Sequence, residues 1–166
     1  MNGKFILDPC CAGRMMWVDK NHPNVIYGDI RVAAKGHIKE SFGHSIQPNI
    51  LMNFKEIPFK DKSFKLIPFD PPHLLNTNKN SIMWKKFGGL LPETWQHDLK
   101  KGFSECWRVL EDYGVLIFKW NDRSIPYKKV LEIIGQQPLF HNTLRKKNTL
   151  GSTYWATFMK IPEEEE

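Results

Sequence analysis

The stretch Phe64-Lys65-Leu66-Ile67-Pro68-Phe69-Asp70-Pro71-Pro72-His73 runs from an apolar segment into an acid, two prolines and a flat ring. Its first part reads as a buried strand. The prolines behind Asp70 remove two backbone donors and fix two φ angles, and the first of them pushes Asp70 into an extended conformation. Glycine or asparagine would turn the chain at less cost. The stretch therefore reads as a strand that ends by aiming particular groups.

Working outward, strand-like runs alternate with helical ones. Lys4–Leu7, Asn24–Asp29 and Ile50–Asn53 precede the stretch, and Gly114–Trp120 is the clearest strand in the chain. Pro138–Leu144 and Thr153–Ile161 read as a terminal hairpin across the basic turn Arg145-Lys146-Lys147-Asn148. A helix is expected over Arg14–Lys20, stopped by Asn21-His22-Pro23. Another is expected over Pro92–Leu110, where Trp95, Leu99, Phe103, Cys106 and Leu110 recur at three- and four-residue spacing and Gly114 serves as the stop. A third runs from Ile125 to Gly135, while 33–48 and 74–92 read as irregular connections. This order predicts an α/β fold: a single Rossmann-like, doubly wound, mostly parallel seven-stranded sheet with a C-terminal antiparallel hairpin. Ligands of such sheets sit beyond the carboxyl ends of the strands, at the switch point. Asp8, Asp29, Asn53, Asp70 and Asn121 all fall at or just past those ends. Polar residues also punctuate strands for structural reasons alone, but five in one layer favour a site.

The 166 residues are read as one domain, 1–162, with an acidic tail, Glu163–Glu166. Apolar residues make up 41% and charged residues 25%, ordinary for a globular chain. The net charge is +6, and near +10 without the four terminal glutamates, which favours a polyanionic partner. Many enzymes with no such partner are equally basic. No apolar run is long enough for a signal sequence or membrane span. Three cysteines, two of them adjacent, argue against a disulfide framework and for a reducing compartment, so a cytoplasmic location is expected. Neither they nor the six histidines show ligand spacing, and no metal is expected.

Four motifs in order resemble the class I S-adenosylmethionine-dependent methyltransferases that act on exocyclic amino groups of bases. They are Asp8-Pro9-Cys10-Cys11-Ala12-Gly13-Arg14, Gly28-Asp29, Met52–Phe59 and Phe69–His73, followed by Gly114–Trp120. Small phage and prophage members are especially similar, and the resemblance covers most of the chain. It implies S-adenosyl-L-methionine as cofactor, bound by Asp8, Pro9, Cys10, Gly13, Asp29, Asn53, Phe54 and Asp70. In the family the first motif is a strand, an acid and a glycine turn that opens a helix, whose amides meet the cofactor carboxylate. Ala12 and Arg14 depart from it by standing where glycines are common. Arg14 could pair with that carboxylate or be a surface charge. Asp29 would accept from the ribose hydroxyls, Asn53 would meet the adenine amino group, and the Phe54 amide would meet the ring edge. A turn-forming role for Asn53 stays open.

Asp70-Pro71-Pro72-His73 matches the family's acid-or-amide, Pro-Pro, flat-ring motif. An exocyclic amine is a poor nucleophile because its lone pair is delocalised into the ring. Two acceptors on its N–H bonds draw the nitrogen toward tetrahedral geometry. The Asp70 side chain would be one and the Pro71 carbonyl, aimed by Pro72, the other. His73 would stack on an extruded base or hydrogen-bond to it. The plain alternative is a rigid turn capped by Asp70.

On the substrate side, Trp84 and Lys85 lie where aromatic and cationic residues mix as in single-strand binders; the aromatics could also simply pack that segment down. Lys119 and Asn121, at the end of the clearest strand, are further candidates. The chain leaves no room for the added target-recognition domain of restriction-type members. With seven residues before Asp8, cover over the cofactor is expected from 74–92 or 33–48. Specificity is then expected to be low, or to come from a partner, a homodimer or RNA shape. The resulting expectation is adenine-N6 methylation of DNA, with no membrane partner. RNA adenine or cytosine-N4 is the close alternative, a protein amide or small planar amine a further one, and a non-catalytic nucleic-acid-binding relic the alternative of another class.

Overall fold

The computed structural model describes residues 3–75, 78–145 and 150–162. Residues 146–148 of the expected basic turn and the acidic tail 163–166 lie outside the described residues. In chain order the elements are β1 (Ile6–Asp8), β2 (Val25–Asp29), β3 (Ile50–Leu51), β4 (Phe64–Phe69), α1 (Ile82–Phe87), α2 (Trp95–Val109), β5 (Leu110–Asn121), α3 (Tyr127–Ile134), β6 (Phe140–Leu144) and β7 (Thr153–Met159). The seven strands form one sheet in the order β3-β2-β1-β4-β5-β7-β6. The first five in this order run parallel, and β7 is antiparallel to both β5 and β6.

The core follows from the patterning. Leu116, Phe118 and Trp120 on β5 are fully buried, while Val115, Ile117 and Lys119 between them are only half-buried. The buried set meets Leu99, Phe103 and Cys106 from the apolar stripe of α2, and Tyr127 and Val130 from α3. Both long helices thus lie on one face of the sheet. On the other face a smaller cluster of Ile6, Cys11, Val25 and Tyr27 is covered by Trp17. Full burial of a side chain of this size stabilises by about 1.5–3 kcal/mol. Val130, which docks α3, sits one turn before the cap at Gly135, whose φ of 73° is the left-handed conformation that ends the helix, with its N–H on the Leu131 carbonyl.

Four sequence expectations give way. No helix forms over 14–20: Ala12 (φ 42°) and Arg14 (φ 53°) are left-handed, and the chain proceeds in turns, with Arg14 N–H on Cys11 O and Trp17 N–H on Arg14 O. Gly114 does not stop α2. The helix ends at Val109 because Leu110 is already extended, and β5 begins there, kinking where Tyr113 (φ 61°) donates its N–H to Lys160 O. Next, β3 is cut to two residues because Asn53 turns the chain: its Oδ1 accepts from Lys55 N at 3.0 Å. The segment 74–92, expected to be irregular, contains α1, capped by the Ser81 hydroxyl. Among the described residues no helix is long and apolar enough to cross a membrane.

Candidate active site

The strand order reverses between β1 and β4, so a crevice opens there at the carboxyl ends. It holds a cavity of about 1010 Å³. Its wall contains Pro9 and Cys10 after β1, Asp29 at the end of β2, and Asn53 and Phe54 after β3. Asp70, Pro71, Pro72 and His73 continue it after β4, and Lys119 and Asn121 complete it at the end of β5. The roof is the 79–91 stretch around α1, with Trp84 and Phe87 facing inward; nothing from 33–48 lines it. The structure therefore gathers most of the sequence candidates into one wall. Asp8, Gly13 and Lys85 are outside that wall, and Lys85 is exposed.

Asp8 is fully buried beneath the wall. Its two oxygens accept from Cys10 N at 3.2 Å and from the Trp17 indole at 2.7 Å. Loss of hydration outweighs those bonds and raises its pKa to about 7. Gly13 also supports from behind: a Cβ there would stand 2.7 Å from His44 Nε2. Arg14 points away from the cavity, stacking on the Tyr27 ring at 3.8 Å and donating to the Lys20 and Gln47 carbonyls. Burial raises the thiols of Cys10 and Cys11, the latter to about 12, so neither is poised as a nucleophile.

Asp29 accepts from Ala12 N at 2.9 Å and from Arg31 through N, Nε and Nη2 at 3.0–3.2 Å. Four donors fill the lone pairs of a carboxylate, so ribose hydroxyls would have to replace some of them. Arg31 Nη1 is buried without a partner among the described residues. Lys55 reaches Asp98 on α2 at 2.8 Å. Behind them Glu105 accepts from Ile57 N and from Arg108, whose guanidinium holds its pKa down to about 2. Arg108 also clasps the Ile57 and Phe59 carbonyls, fixing the loop that carries Asn53 and Phe54.

Asp70 Oδ2 accepts from Lys119 Nζ at 2.5 Å. The neighbouring register pairs Phe69 with Phe118 and Lys119 with Trp155, which places the ammonium 5.5 Å from the Trp155 ring. His73 packs edge-on against Trp120 at 6.2 Å. Burial lowers its pKa, against the pull of Asp70, so the ring is neutral near pH 7. Arg31 and Trp155 escaped the sequence reading. Arg31 sits two residues past Asp29 in Gly28-Asp29-Ile30-Arg31, and that proximity was the available signal.

Solved structures share this arrangement of elements. The N-methyltransferase NodS from Bradyrhizobium japonicum, in complex with S-adenosyl-L-homocysteine, superposes on 97% of this chain and 79% of its own, with TM-score 0.59 and 14% identity. The fold is that of S-adenosylmethionine-dependent methyltransferases. A methyltransferase of this kind from Leishmania major matches over 95% of this chain and 67% of its own, with TM-score 0.56 and 15% identity. Geranyl diphosphate methyltransferase in complex with S-adenosylmethionine matches over 96% and 79%, with TM-score 0.54 and 10% identity. No protein-family profile and no curated protein matches the sequence.

The methyltransferase fold here makes its first turn without glycine at the two left-handed positions. Each costs roughly 1–2 kcal/mol in a residue with a Cβ. Ala12→Gly keeps the N–H bonded to Asp29 and relieves that cost, so it should stabilise by about 1 kcal/mol, partly offset by added chain entropy. A thermal melt should show a rise of a few degrees; a fall would mean that Ala12 is not strained.

Proposed function

We propose that this chain is an S-adenosylmethionine-dependent methyltransferase acting on an exocyclic amino group of a nucleic-acid base, adenine N6 in DNA first. The observation that carries the reading is Asp70-Pro71-Pro72-His73 standing at the carboxyl end of β4, in the same cavity wall as Asp29. The cavity exceeds what one nucleoside-sized ligand fills, leaving space for cofactor and base together. Asp29, Asn53 and Phe54 lie at the ends of β2 and β3, on the far side of the switch point from Asp70, and fit a nucleoside with its ribose at Asp29. Bound there, the cofactor would supply an electrophilic methyl group on a sulfonium that leaves as a neutral thioether.

The rest falls to the chain. Asp70 and the Pro71 carbonyl accept the two N–H bonds of the amine and turn its lone pair toward the methyl group. The amine nitrogen gains the methyl and sheds one proton, which passes to the partly exposed Asp70 and on to water. His73, neutral, lies against the base, and the flap around Trp84 and Phe87 closes over it. The net charge of +6 favours the polyanionic substrate.

Asp29→Ala should weaken cofactor binding by about 1.5–3 kcal/mol, roughly ten- to a hundredfold by calorimetry. Unchanged affinity removes Asp29 from the ribose site. The substrate test digests total DNA and RNA from cells making the wild-type chain or Asp70→Ala and measures methylated nucleosides by mass spectrometry. N6-methyladenine in DNA should rise only with the wild type. A rise in RNA alone moves the substrate to RNA, and no change in either rejects the nucleic-acid reading.

A further inference from the structure

We infer that Lys119 sets the class of amine this site accepts, by neutralising Asp70 so that the pocket serves neutral, conjugated amino groups and turns away aliphatic ammonium ions. This rests on the reading of Asp70 as the acceptor of the amine. Three carboxylates line the cavity, and each is already paired with a cation of the same wall: Asp29 with Arg31, Asp98 with Lys55, and Asp70 with Lys119. A fourth cation, Lys79, stands 6.0 Å from the Trp84 ring. An entering ammonium would find no uncompensated negative charge. A neutral amine needs none, because it asks only for acceptor oxygens.

Geometry makes the Asp70–Lys119 pair the decisive one. Asp70 directly follows β4 and Lys119 lies on the adjacent β5, where it is confined between the carboxylate on one side and Trp155 on the other. Its Nζ takes Oδ2 at 2.5 Å. Oδ1 receives no donor among the described residues and is the oxygen left for an N–H of the amine. The side chains are 22% and 29% exposed, so the pair is shielded enough for its charges to be felt more strongly than in water. Lys119 touches neither cofactor nor amine: it is a positioning residue that acts through Asp70.

The test uses binding as well as turnover. Adenosine and n-butylammonium are titrated by calorimetry into the wild type, Lys119→Met and Lys119→Arg, each with S-adenosylhomocysteine present. The wild type should bind adenosine and ignore the ammonium. Lys119→Met should gain affinity for n-butylammonium by about tenfold or more, the scale of one charged hydrogen bond. Lys119→Arg, which keeps the charge, should restore the wild-type preference, as a merely structural lesion would not. On a single-stranded oligonucleotide, Lys119→Met should lower kcat with the KM for the cofactor unchanged. If Lys119→Met discriminates as the wild type does, or Lys119→Arg loses the preference, the inference is overturned. If the preference shifts as expected while no variant methylates any base, the role of Lys119 stands and the nucleic-acid reading fails.

Discussion

Asp70→Ala abolishes methyl transfer while leaving cofactor affinity within a few-fold. That is the expected result, and it follows from where the carboxylate stands. Asp70 follows β4 across the switch point from Asp29, and its role is to accept an N–H bond that strengthens as the amine nitrogen becomes tetrahedral. Interactions made chiefly in the transition state act on kcat and not on ground-state binding. Removing one preorganised polar group of this kind costs about 100- to 1,000-fold. The substitution also leaves the Lys119 ammonium in the wall without its partner, which adds to the loss. Asp70→Asn should keep more activity, because its amide oxygen can still accept. The pair is partly exposed, so the melting temperature should move by only a few degrees. Full turnover in the alanine variant, measured with the same substrate as the wild type, would sink the mechanism.

The acids of the site were legible because each ends a run that has to be a strand. Asp29 and Asp70 follow apolar segments too short and too β-branched or aromatic to be anything else, and the parallel sheet then gathers their ends in one layer. The stripe of α2 was legible for the same kind of reason, a period that admits one structure. What pairs with those acids was not legible. Lys119 and Asp70 are 49 residues apart and meet only because β4 and β5 are adjacent and in register. Trp155 arrives from an antiparallel strand later still. The turn after β1 was misread because left-handed backbone at Ala12 and Arg14 has no signature in residues that avoid it. The residues from Arg14 to Lys20, stopped by Asn21-His22-Pro23, read as a helix, whereas Arg14 is anchored on Tyr27 and on backbone carbonyls of two loops. The sequence places Asp8 among the cofactor-binding acids, and its burial beneath the wall depends on Trp17, nine residues on, folding back over β1.

That burial yields the second large effect, on stability. In the unfolded chain Asp8 ionises near its ordinary 3.8, whereas in the folded chain it keeps its proton to about 7. Between those values the folded state holds a proton that the unfolded state has released. The contribution of Asp8 to stability is therefore complete below pH 4 and is lost as pH rises through about 7. Three pH units correspond to on the order of 4 kcal/mol. Two half-buried histidines work in the opposite direction: His44 and His73 are held below their ordinary pKa by partial desolvation, so each adds stability as pH rises toward about 6.5. Glu105, with its pKa near 2, matters only at lower pH. The informative quantity is the difference between wild type and Asp8→Asn in urea midpoints from pH 4 to 8. Asparagine sets one N–H against Cys10 N or the Trp17 indole, which shifts its curve by a constant. The slope of the difference isolates the carboxyl, and wild type should lose its advantage steadily toward pH 7. Trp17→Phe sharpens the test by deleting a donor to the carboxylate. Its cost should be about 1–3 kcal/mol at pH 8, where Asp8 is ionised and needs that bond, and smaller at pH 5, where it is protonated. A cost independent of pH would show that Trp17 serves only as cover for Ile6 and Tyr27, and that the charge on Asp8 is compensated by other means.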